Sequence, residues 1–345
     1  MKSLGFDVGG TKIEAALFEW LPHEQQQRDD KADFFSLVGG KKTAVRCLAR
    51  ARKPTERQKG YEHIVAQMTA LAREVLQTAG LGCDAIQGIG VGLPGAVEPR
   101  RQVMLNGNTL VLVGKTLAQD LGNALGFSGE LRMGNDANCF ALAEHYCGAG
   151  LHVAESKGML PSELTGMGII LGTGCGGGFV VNGKLFEGAR GGAAEVGHTI
   201  LKTGGHACYC GRLGCAEQYL SGTAIEAHFA SRKYSQVDGI KTAKEIFDQA
   251  ALGEPLAVAV IKAYIEDLSD FLAGLANTLN PDYFVLGGGV SLQPAIYQGL
   301  EEKVSRKSFL PAEQGKNSSV VLRNVVGDSA GVVGAALLPL SKCAL

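Results

Sequence analysis

The sequence predicts an α/β protein with two domains. Its 345 residues exceed the length at which a single hydrophobic core usually stops growing. Residues 3–18 and 166–181 each have the pattern of a strand, a glycine-rich turn and a second strand. We expect a small N-terminal α/β domain over residues 1–134 and a larger α/β domain over residues 135–327. A helix at about residues 328–341 is expected to pack back on the first domain.

Composition limits the classes of partner. Lys and Arg number 33 against 34 Asp and Glu, a net charge of -1, so nothing favours nucleic acid or an anionic membrane. Glycine, at 49 residues, is about twice as frequent as usual, which indicates tight turns and close approach to a ligand. Nine cysteines without a regular framework, no signal-peptide pattern and no apolar run of membrane-spanning length predict a reducing, cytoplasmic location.

The first hairpin contains Asp7-Val-Gly-Gly-Thr11. It lacks the GxxxxGK[ST] spacing of a Walker P-loop, which disfavours that class of NTPase. The backbone N–H groups of Gly9, Gly10 and Thr11 are nevertheless suited to phosphate oxygens, and Asp7 to water around a magnesium ion. An ordinary Gly-Gly hairpin is the alternative interpretation.

The next elements are predicted from polarity and spacing. Residues 19–35 are polar and are interpreted as a solvated excursion, after which residues 42–50 supply a third strand. Apolar residues at helical spacing predict a core helix over residues 60–79.

Two loops carry residues suited to hydroxyl recognition. Residues 85–93 predict a buried strand that ends at Pro94-Gly95, and an Asn-rich loop, Asn106-Gly-Asn108, follows soon after it. A helix is predicted to begin at Asn135-Asp136, where both residues also suit a plain N-cap. Ordinary turn chemistry explains the Pro94-Gly95 turn and the Asn106-Gly-Asn108 loop equally well.

The second hairpin has five glycines in the seven positions from Gly172 to Gly178, which favours close approach to a charged ligand. Two such hairpins suggest two related halves facing each other across a nucleotide. Further on, residues 242–252 and 255–279 predict helices, and a buried strand ends in Gly287-Gly288-Gly289.

A cluster of soft ligands lies between Glu195 and Glu217. His198, Cys208, Cys210 and Cys215 are the ligand set of a closed structural zinc site, which would pin the loop that carries both glutamates. The alternative is a chance cluster of buried cysteines, but the glycine-broken loop offers little core to bury them.

Taken in order, these motifs resemble those of ROK-type sugar kinases of the actin and hexokinase superfamily. The resemblance rests on Asp7-Val-Gly-Gly-Thr11, Asn135-Asp136-Ala-Asn138, the Leu171–Gly178 run, Glu195-Val-Gly-His198 and Cys208–Glu217, and it covers nearly the whole chain. It implies a two-domain actin-like ATPase (ribonuclease-H-like) fold with nucleotide and sugar in the interdomain cleft.

The resemblance also implies roles for single residues. Asp136 is expected to be the catalytic base, and His198 to bind zinc through one ring nitrogen and a sugar hydroxyl through the other. Sugar contacts are expected at Gly95, Asn108, Asn135, Asp136, Glu195, His198 and Glu217. Nucleotide contacts are expected at Asp7, Gly9, Gly10, Thr11, Lys12, Gly172, Thr173, Gly174, Gly176, Gly177, Gly287 and Gly288. The implied cofactors are ATP, catalytic Mg²⁺ and structural Zn²⁺.

The expected function is ATP-dependent phosphorylation of a hexose at its 6-OH, as in a glucokinase-like hexokinase. Fructokinase, N-acetylglucosamine kinase and N-acetylmannosamine kinase are the alternatives, because the loop after Pro99 lacks the tryptophan pattern common in the glucokinase branch. A non-catalytic, sugar-responsive regulator is a further alternative. A repressor would carry a basic DNA-binding head before the first hairpin, where Asp7 comes six residues after Met1. A homodimer or larger homo-oligomer is expected from the resemblance.

Overall fold

The computed structural model describes residues 1–22, 34–38, 41–107, 109–232, 242–310 and 320–340. Within these ranges the strands are β1 (Lys2–Val8), β2 (Lys12–Pro22), β3 (Phe34–Val38), β4 (Lys41–Pro54), β5 (Gly88–Leu93), β6 (Val97–Glu98), β7 (Val103–Met104), β8 (Glu130–Asn135), β9 (Gly166–Leu171), β10 (Cys175–Val181), β11 (Lys184–Leu185), β12 (Tyr283–Gly287) and β13 (Val320–Arg323). The helices are α1 (Tyr61–Thr78), α2 (Leu117–Leu125), α3 (Asp136–Cys147), α4 (Ala149–Lys157), α5 (Glu217–Leu220), α6 (Gly222–Ser231), α7 (Ala243–Ala251), α8 (Pro255–Leu279), α9 (Leu300–Lys307) and α10 (Ala330–Leu337).

The chain divides into two compact units. The first contains Met1–Leu164, Gly178–Ala193 and Val325–Leu345, and the second contains Thr165–Gly177 and Ala194–Asn324. The domain boundary predicted between residues 134 and 135 stays a prediction, since compactness alone does not define a folding domain.

The first unit is built on a six-stranded sheet in the order β3-β4-β2-β1-β5-β8. β1 and β2 form the antiparallel hairpin predicted from the first glycine turn, whereas β1, β5 and β8 are parallel neighbours. The carboxyl ends of these three strands therefore meet at one edge of the sheet, where α/β proteins usually bind ligands. Asp7, Gly95 and Asn135 lie at or just beyond those ends.

Helix α10 packs on this sheet with almost no space between the two backbones. A Cβ atom at Gly90 in β5 would lie 1.7 Å from the carbonyl oxygen of Ala335 in α10. A Cβ atom at Gly334 would lie 1.7 Å from the carbonyl oxygen of Cys139 in α3. Glycine is therefore required at both positions. The small residues of α10 allow this close contact between the helix and its neighbours.

The interpretation of residues 19–35 as a solvated excursion was wrong at both ends. β2 continues to Pro22, and residues 34–38 form β3, which pairs with β4. Trp20 is buried in β2, and its indole N–H donates to Ser3 Oγ over 2.9 Å. The middle of the segment, residues 23–33, lies outside the described residues.

The second unit contains the parallel strands β9, β12 and β13, with β12 in the centre. Helix α8 has the bounds predicted from its apolar spacing. Glu254 caps it by accepting from the N–H groups of Leu256 and Ala257, Pro255 occupies the first turn, and Asn280 ends it in a left-handed conformation. Among the described residues, no helix combines the length and the apolar character needed to cross a bilayer.

Candidate active site

The glycine turn of the first hairpin is held from one side by Thr55. Thr55 Oγ1 donates to the carbonyl oxygen of Gly9 over 2.6 Å, and Thr55 N donates to that of Thr11 over 3.0 Å. Gly9 N also donates to Lys12 O over 2.9 Å. Because Thr55 is fully buried, these bonds fix the turn to the core while Thr11 and Lys12 remain exposed.

The carboxylate of Asp7 lies beside the first turn of α10. A Cβ atom at Gly331 would be 2.9 Å from Asp7 Oδ2, so only glycine leaves the carboxylate in place. Burial raises the pKa of Asp7, and the neighbouring carboxylate of Glu14 raises it further. A partly buried carboxylate of this kind is suited to a cation, and a single carboxylate is typical of magnesium sites that retain several waters.

Glu14 is buried and is paired with cations from the neighbouring strand. Arg52 Nε lies 2.7 Å from Glu14 Oε2, and the Arg50 side chain forms a second ion pair with the same carboxylate. Both arginines, together with Lys12, lower the pKa of Asp7 and offset part of the two effects that raise it. No sequence motif points to Glu14, and only its β-ladder pairing with Asp7 reveals its place beside the site.

Asn135 connects the end of β8 to the start of α3. Its Oδ1 accepts from Ala137 N (2.8 Å) and Asn138 N (3.3 Å), which makes it the N-cap of the helix. Its Nδ2 donates to the carbonyl oxygen of Gly95 over 3.2 Å. Asn135 therefore brings the loop after β5 to the position at which Asp136 begins α3.

Asp136 is the first residue of α3, and its Oδ1 accepts from Ala137 N over 2.8 Å. A helix N-terminus favours negative charge there. The fully buried thiol of Cys139 lies close to this acid: burial raises its pKa well above the usual value, and the charges of Asp7 and Asp136 raise it further. The structure thus brings Asp7, Gly95, Asn135 and Asp136 to one edge of the first sheet.

The loop predicted to recognise hydroxyls is folded back on Gly95. Asn106 Oδ1 accepts from Ala96 N over 2.9 Å. A Cβ atom at Gly95 would lie 2.0 Å from the carbonyl oxygen of Asn106 and 2.8 Å from the Cα of Gly107. Asn108, the predicted sugar ligand of this loop, lies outside the described residues.

In the second unit, the turn between β9 and β10 is fixed by the start of α6. Gly172 N donates to Gly174 O over 3.0 Å, and Gly222 N donates to Gly172 O over 2.7 Å. Thr223 Oγ1 donates to Thr173 O over 2.8 Å. The glycine turn and the N-terminus of α6 therefore form one surface.

The remaining glycines of the predicted nucleotide set have different surroundings. Gly288 has φ = 81° and lies against the carbonyl group of Leu171, so the turn after β12 abuts the end of β9. Gly287 ends β12, and Gly176 and Gly177 lie within β10. A Cβ atom at Gly177 would come 2.9 Å from the carbonyl oxygen of Ala194, so packing alone accounts for that glycine.

A cavity of about 360 Å³ opens beside this turn. Its lining includes Gly172, Thr173, Gly222, Thr223, Thr242, Ala243, Lys244, Phe247, Gly289 and Val290. Cavities of this size accept drug-sized ligands such as a nucleoside. The α7 residues of the lining were not predicted. The capping box of Thr242 and Glu245 indicates where α7 begins, but it carries no sign of a ligand.

The cysteine cluster fits a zinc ion. One ring nitrogen of His198 and the sulfur atoms of Cys208, Cys210 and Cys215 all lie within 4.8 Å of one another. Tetrahedral zinc with standard bond lengths separates two sulfurs by about 3.8 Å, and a sulfur from a nitrogen by about 3.6 Å. The observed distances are 3.6 Å between the sulfurs of Cys210 and Cys215, and 3.7 Å between Cys208 Sγ and His198 Nδ1.

Cys210 is the exposed cysteine of the cluster, and its surroundings favour the thiolate form. The backbone N–H and the guanidinium of Arg212 lower the pKa of Cys210 to about 6. Zinc binds the thiolate form of cysteine, so the donor set suits the ion chemically as well as geometrically.

Glu195, His198 and Glu217 lie near one another in the second unit. Burial raises the pKa of Glu195, the charge of Glu217 raises it further, and His198 acts in the opposite direction. Glu217 Oε2 accepts from Cys175 N over 3.0 Å, which ties it to the glycine hairpin. The sequence-predicted sugar ligands of this loop are therefore brought together, and one of them also touches the predicted nucleotide turn.

Comparison with known proteins decides the family. Residues 37–342 match the family model described as ROK family. The chain belongs to the ROK family.

Related ROK proteins resemble this chain over nearly its whole length. An N-acetyl-D-glucosamine kinase of Pasteurella multocida (strain Pm70) is 32% identical over 349 residues, covering 98% of this chain and 99% of the relative. A ROK hexokinase from Thermus thermophilus has a TM-score of 0.74 and 30% identity, covering 98% of this chain and 97% of that one. A ROK family glucokinase from Streptomyces griseus, in complex with glucose and AMPPNP, has a TM-score of 0.66 and 26% identity, covering 98% and 99%.

These likenesses confirm the predicted family, the actin-like ATPase fold and the class of enzyme. This ROK protein is a sugar kinase. Kinases of this kind bind a sugar and ATP, which confirms both predicted substrates at that level.

Proposed function

We propose that this ROK kinase transfers the γ-phosphoryl group of ATP to a hydroxyl group of N-acetyl-D-glucosamine. The observation that carries the proposal is the similarity to N-acetyl-D-glucosamine kinases along almost the entire chain. This similarity favours the predicted alternative of an N-acetylglucosamine kinase over the glucokinase-like interpretation. Glucose is the second candidate sugar, and it is favoured by the glucose-bound Streptomyces relative.

Asp136 is proposed as the general base. A sugar hydroxyl is too weakly acidic to ionise unaided near neutral pH, and a positioned base typically contributes about 10²–10⁴ in rate. Asp136 takes the proton as the sugar oxygen bonds to the γ-phosphorus, and the bond from that phosphorus to the β,γ-bridging oxygen breaks to release ADP. The start of α3 supports this role, because Asn135 caps the helix there and Ala137 N donates to the Asp136 carboxylate.

The two glycine hairpins are proposed to bind the phosphates, and the cavity beside Thr173 and Thr223 to bind the nucleoside. Their support is the restrained backbone at both turns, since preorganised N–H groups bind anions at little entropic cost. The N–H groups of Gly9 and Gly172 maintain the turns by donating to Lys12 O and Gly174 O, so the phosphate contacts are assigned to the other N–H groups of the two turns. Magnesium, held through water by Asp7, would neutralise charge that develops on the phosphates.

Glu195, His198 and Glu217 are proposed to bind sugar hydroxyls, together with Gly95, Asn108 and Asn135 from the motif match. Zinc at His198, Cys208, Cys210 and Cys215 would pin the loop on which the first three lie. It would supply no chemistry, because all four of its positions would be filled by protein. The predicted interdomain cleft, homodimer and cytoplasmic location stay predictions.

Replacing Asp136 by asparagine tests the proposed base. Asparagine retains an oxygen at the Oδ1 position to accept from Ala137 N, so the start of α3 and the affinity for sugar are expected to stay close to wild type. We expect kcat for phosphorylation of N-acetylglucosamine to fall about 10²–10⁴-fold. The matched control is Asp84→Asn, an exposed acid of the same unit. Near-normal turnover by Asp136→Asn would remove Asp136 from this role.

A further inference from the structure

Tyr209 lies between two ligands of the predicted zinc site. It belongs to a tight turn in which Cys208 N donates to Arg212 O (2.9 Å) and Gly211 N donates to Cys208 O (3.0 Å). The Tyr209 side chain is 79% exposed, so the core does not hold it. Its ring nevertheless lies edge-on to the His198 imidazole, with 5.2 Å between centroids and 81° between planes.

The two nitrogens of His198 face different partners. Nδ1 lies 3.7 Å from Cys208 Sγ, on the side of the zinc ligands, and Nε2 lies 3.1 Å from the Tyr209 hydroxyl. An imidazole that binds a metal through Nδ1 carries its proton on Nε2, where it is free to donate. With Nδ1 bound to zinc, the Nε2–H group would donate to the Tyr209 oxygen. In the proposed function this is the group that serves a sugar hydroxyl.

The charges of the other proposed sugar ligands of the loop act on this phenol. Glu217 and Glu195 both interact electrostatically with Tyr209. Tyr209, His198, Glu195 and Glu217 all belong to the second unit. The Tyr209 hydroxyl is therefore within hydrogen-bond distance of one proposed sugar ligand and in the electrostatic field of two others.

We propose that the Tyr209 hydroxyl competes with the sugar for the Nε2–H group of His198, and so sets the affinity of the enzyme for its sugar. This inference rests on the proposed function. One N–H group makes one strong hydrogen bond, so a sugar hydroxyl displaces the phenol when it binds. Rotation about the Cα–Cβ bond of an exposed side chain allows this without disturbing the core.

The size of the effect follows from the strength of the bond. A neutral hydrogen bond contributes a net factor of about 2–10 to an equilibrium constant. The sugar must displace the Tyr209 hydroxyl from His198 in order to bind. The apparent dissociation constant of the sugar is therefore raised by about the same factor. Removing the hydroxyl is therefore expected to tighten sugar binding about 2–10-fold.

The test is calorimetric titration of the zinc-loaded protein with N-acetylglucosamine and with glucose. Wild type is compared with Tyr209→Phe, which removes only the hydroxyl, and with Tyr209→Leu, which also removes the ring. Tyr61→Phe is the matched control, because its hydroxyl bonds to Asp120 on helix α2. Zinc content, measured by elemental analysis, is expected to be equal in all four proteins.

Tighter sugar binding by both Tyr209 variants, with Tyr61→Phe unchanged, supports the proposal. Unchanged affinity in Tyr209→Phe overturns it, and weaker affinity overturns it by showing that the hydroxyl contacts the sugar directly. Absence of binding of either sugar to the wild type would overturn the proposed function as well. The wild-type titration therefore separates failure of the function from failure of this inference.

Discussion

Glu144 is a fully buried carboxylate on α3 that holds three backbone segments together. Its Oε1 accepts from Val325 N (3.0 Å) and Val326 N (2.8 Å), and its Oε2 accepts from Ala149 N at the start of α4 (3.0 Å). Glutamine at this position keeps only one oxygen. If that oxygen faces Val325 and Val326, the amide NH₂ group points at the N–H of Ala149, and two donors oppose each other.

The expected cost of Glu144→Gln is about 1–3 kcal/mol in the free energy of unfolding, the penalty for leaving a buried donor unpaired. The assay is urea unfolding at pH 7 followed by circular dichroism. Glu62→Gln, an exposed substitution on α1, is the matched control and is expected to change the stability by less than about 0.5 kcal/mol. A Glu144→Gln protein as stable as the control would refute the reasoning.

The pH dependence has a definite sign. Burial raises the pKa of Glu144 above its ordinary value of 4.5, although the three N–H donors act in the opposite direction. As pH rises from 4.5, the unfolded chain releases this proton before the folded chain does, so the wild type loses stability over that window. The glutamine variant has no such proton, and its deficit is expected to be larger at pH 5 than at pH 7. A deficit that widens with pH would show that the donors outweigh burial.

Three further substitutions or treatments have defined outcomes. Gly331→Ala places a methyl group 2.9 Å from Asp7 Oδ2, so KM for MgATP is expected to rise while zinc content stays constant. An unaltered KM would argue against Asp7 as the carboxylate that holds magnesium. Removal of zinc by a chelator is expected to weaken sugar binding, because the loop that carries Glu195, His198 and Glu217 would no longer be pinned by the metal. Equal sugar affinity in protein shown to be zinc-free would contradict the structural role. Thr55→Val deletes the 2.6 Å hydrogen bond to Gly9 O and is expected to lower the free energy of unfolding, measured in urea, by about 0.5–1.5 kcal/mol. An equally stable variant would show that the turn does not depend on this bond.

Local signals in the sequence predicted much of the fold. α8 was predicted with its observed bounds, because the apolar spacing that predicted it is a feature of adjacent residues. Both glycine hairpins were predicted for the same reason, since strand, turn and strand are continuous in the chain.

Elements stabilised by distant partners were harder to predict. Charged residues of β4, Arg50 and Arg52, indicate solvent on their own, but they pair with the buried carboxylate of Glu14 in β2. The close packing of Gly90 on Ala335 joins β5 to α10 near the other end of the chain, and no short window of sequence contains both residues.

The residues of the candidate site also fall into those predicted from local motifs and those that depend on distant partners. The motifs identified Asp7, Asn135, Asp136 and the cluster of His198 with three cysteines. They did not identify the α7 side of the cavity beside Thr173 or the contact between Tyr209 and His198. Those features depend on which side chains the tertiary fold brings together, and spacing along the chain does not encode that.

The most direct test of the account is an ADP-release assay with MgATP against N-acetylglucosamine, N-acetylmannosamine, glucose, fructose and mannose, with Asp136→Asn as the blank. We expect the highest kcat/KM for N-acetylglucosamine, the formation of its phosphate ester, and loss of that turnover in the blank. Higher kcat/KM for glucose would contradict the proposed substrate. Turnover that persists in Asp136→Asn would contradict the proposed mechanism.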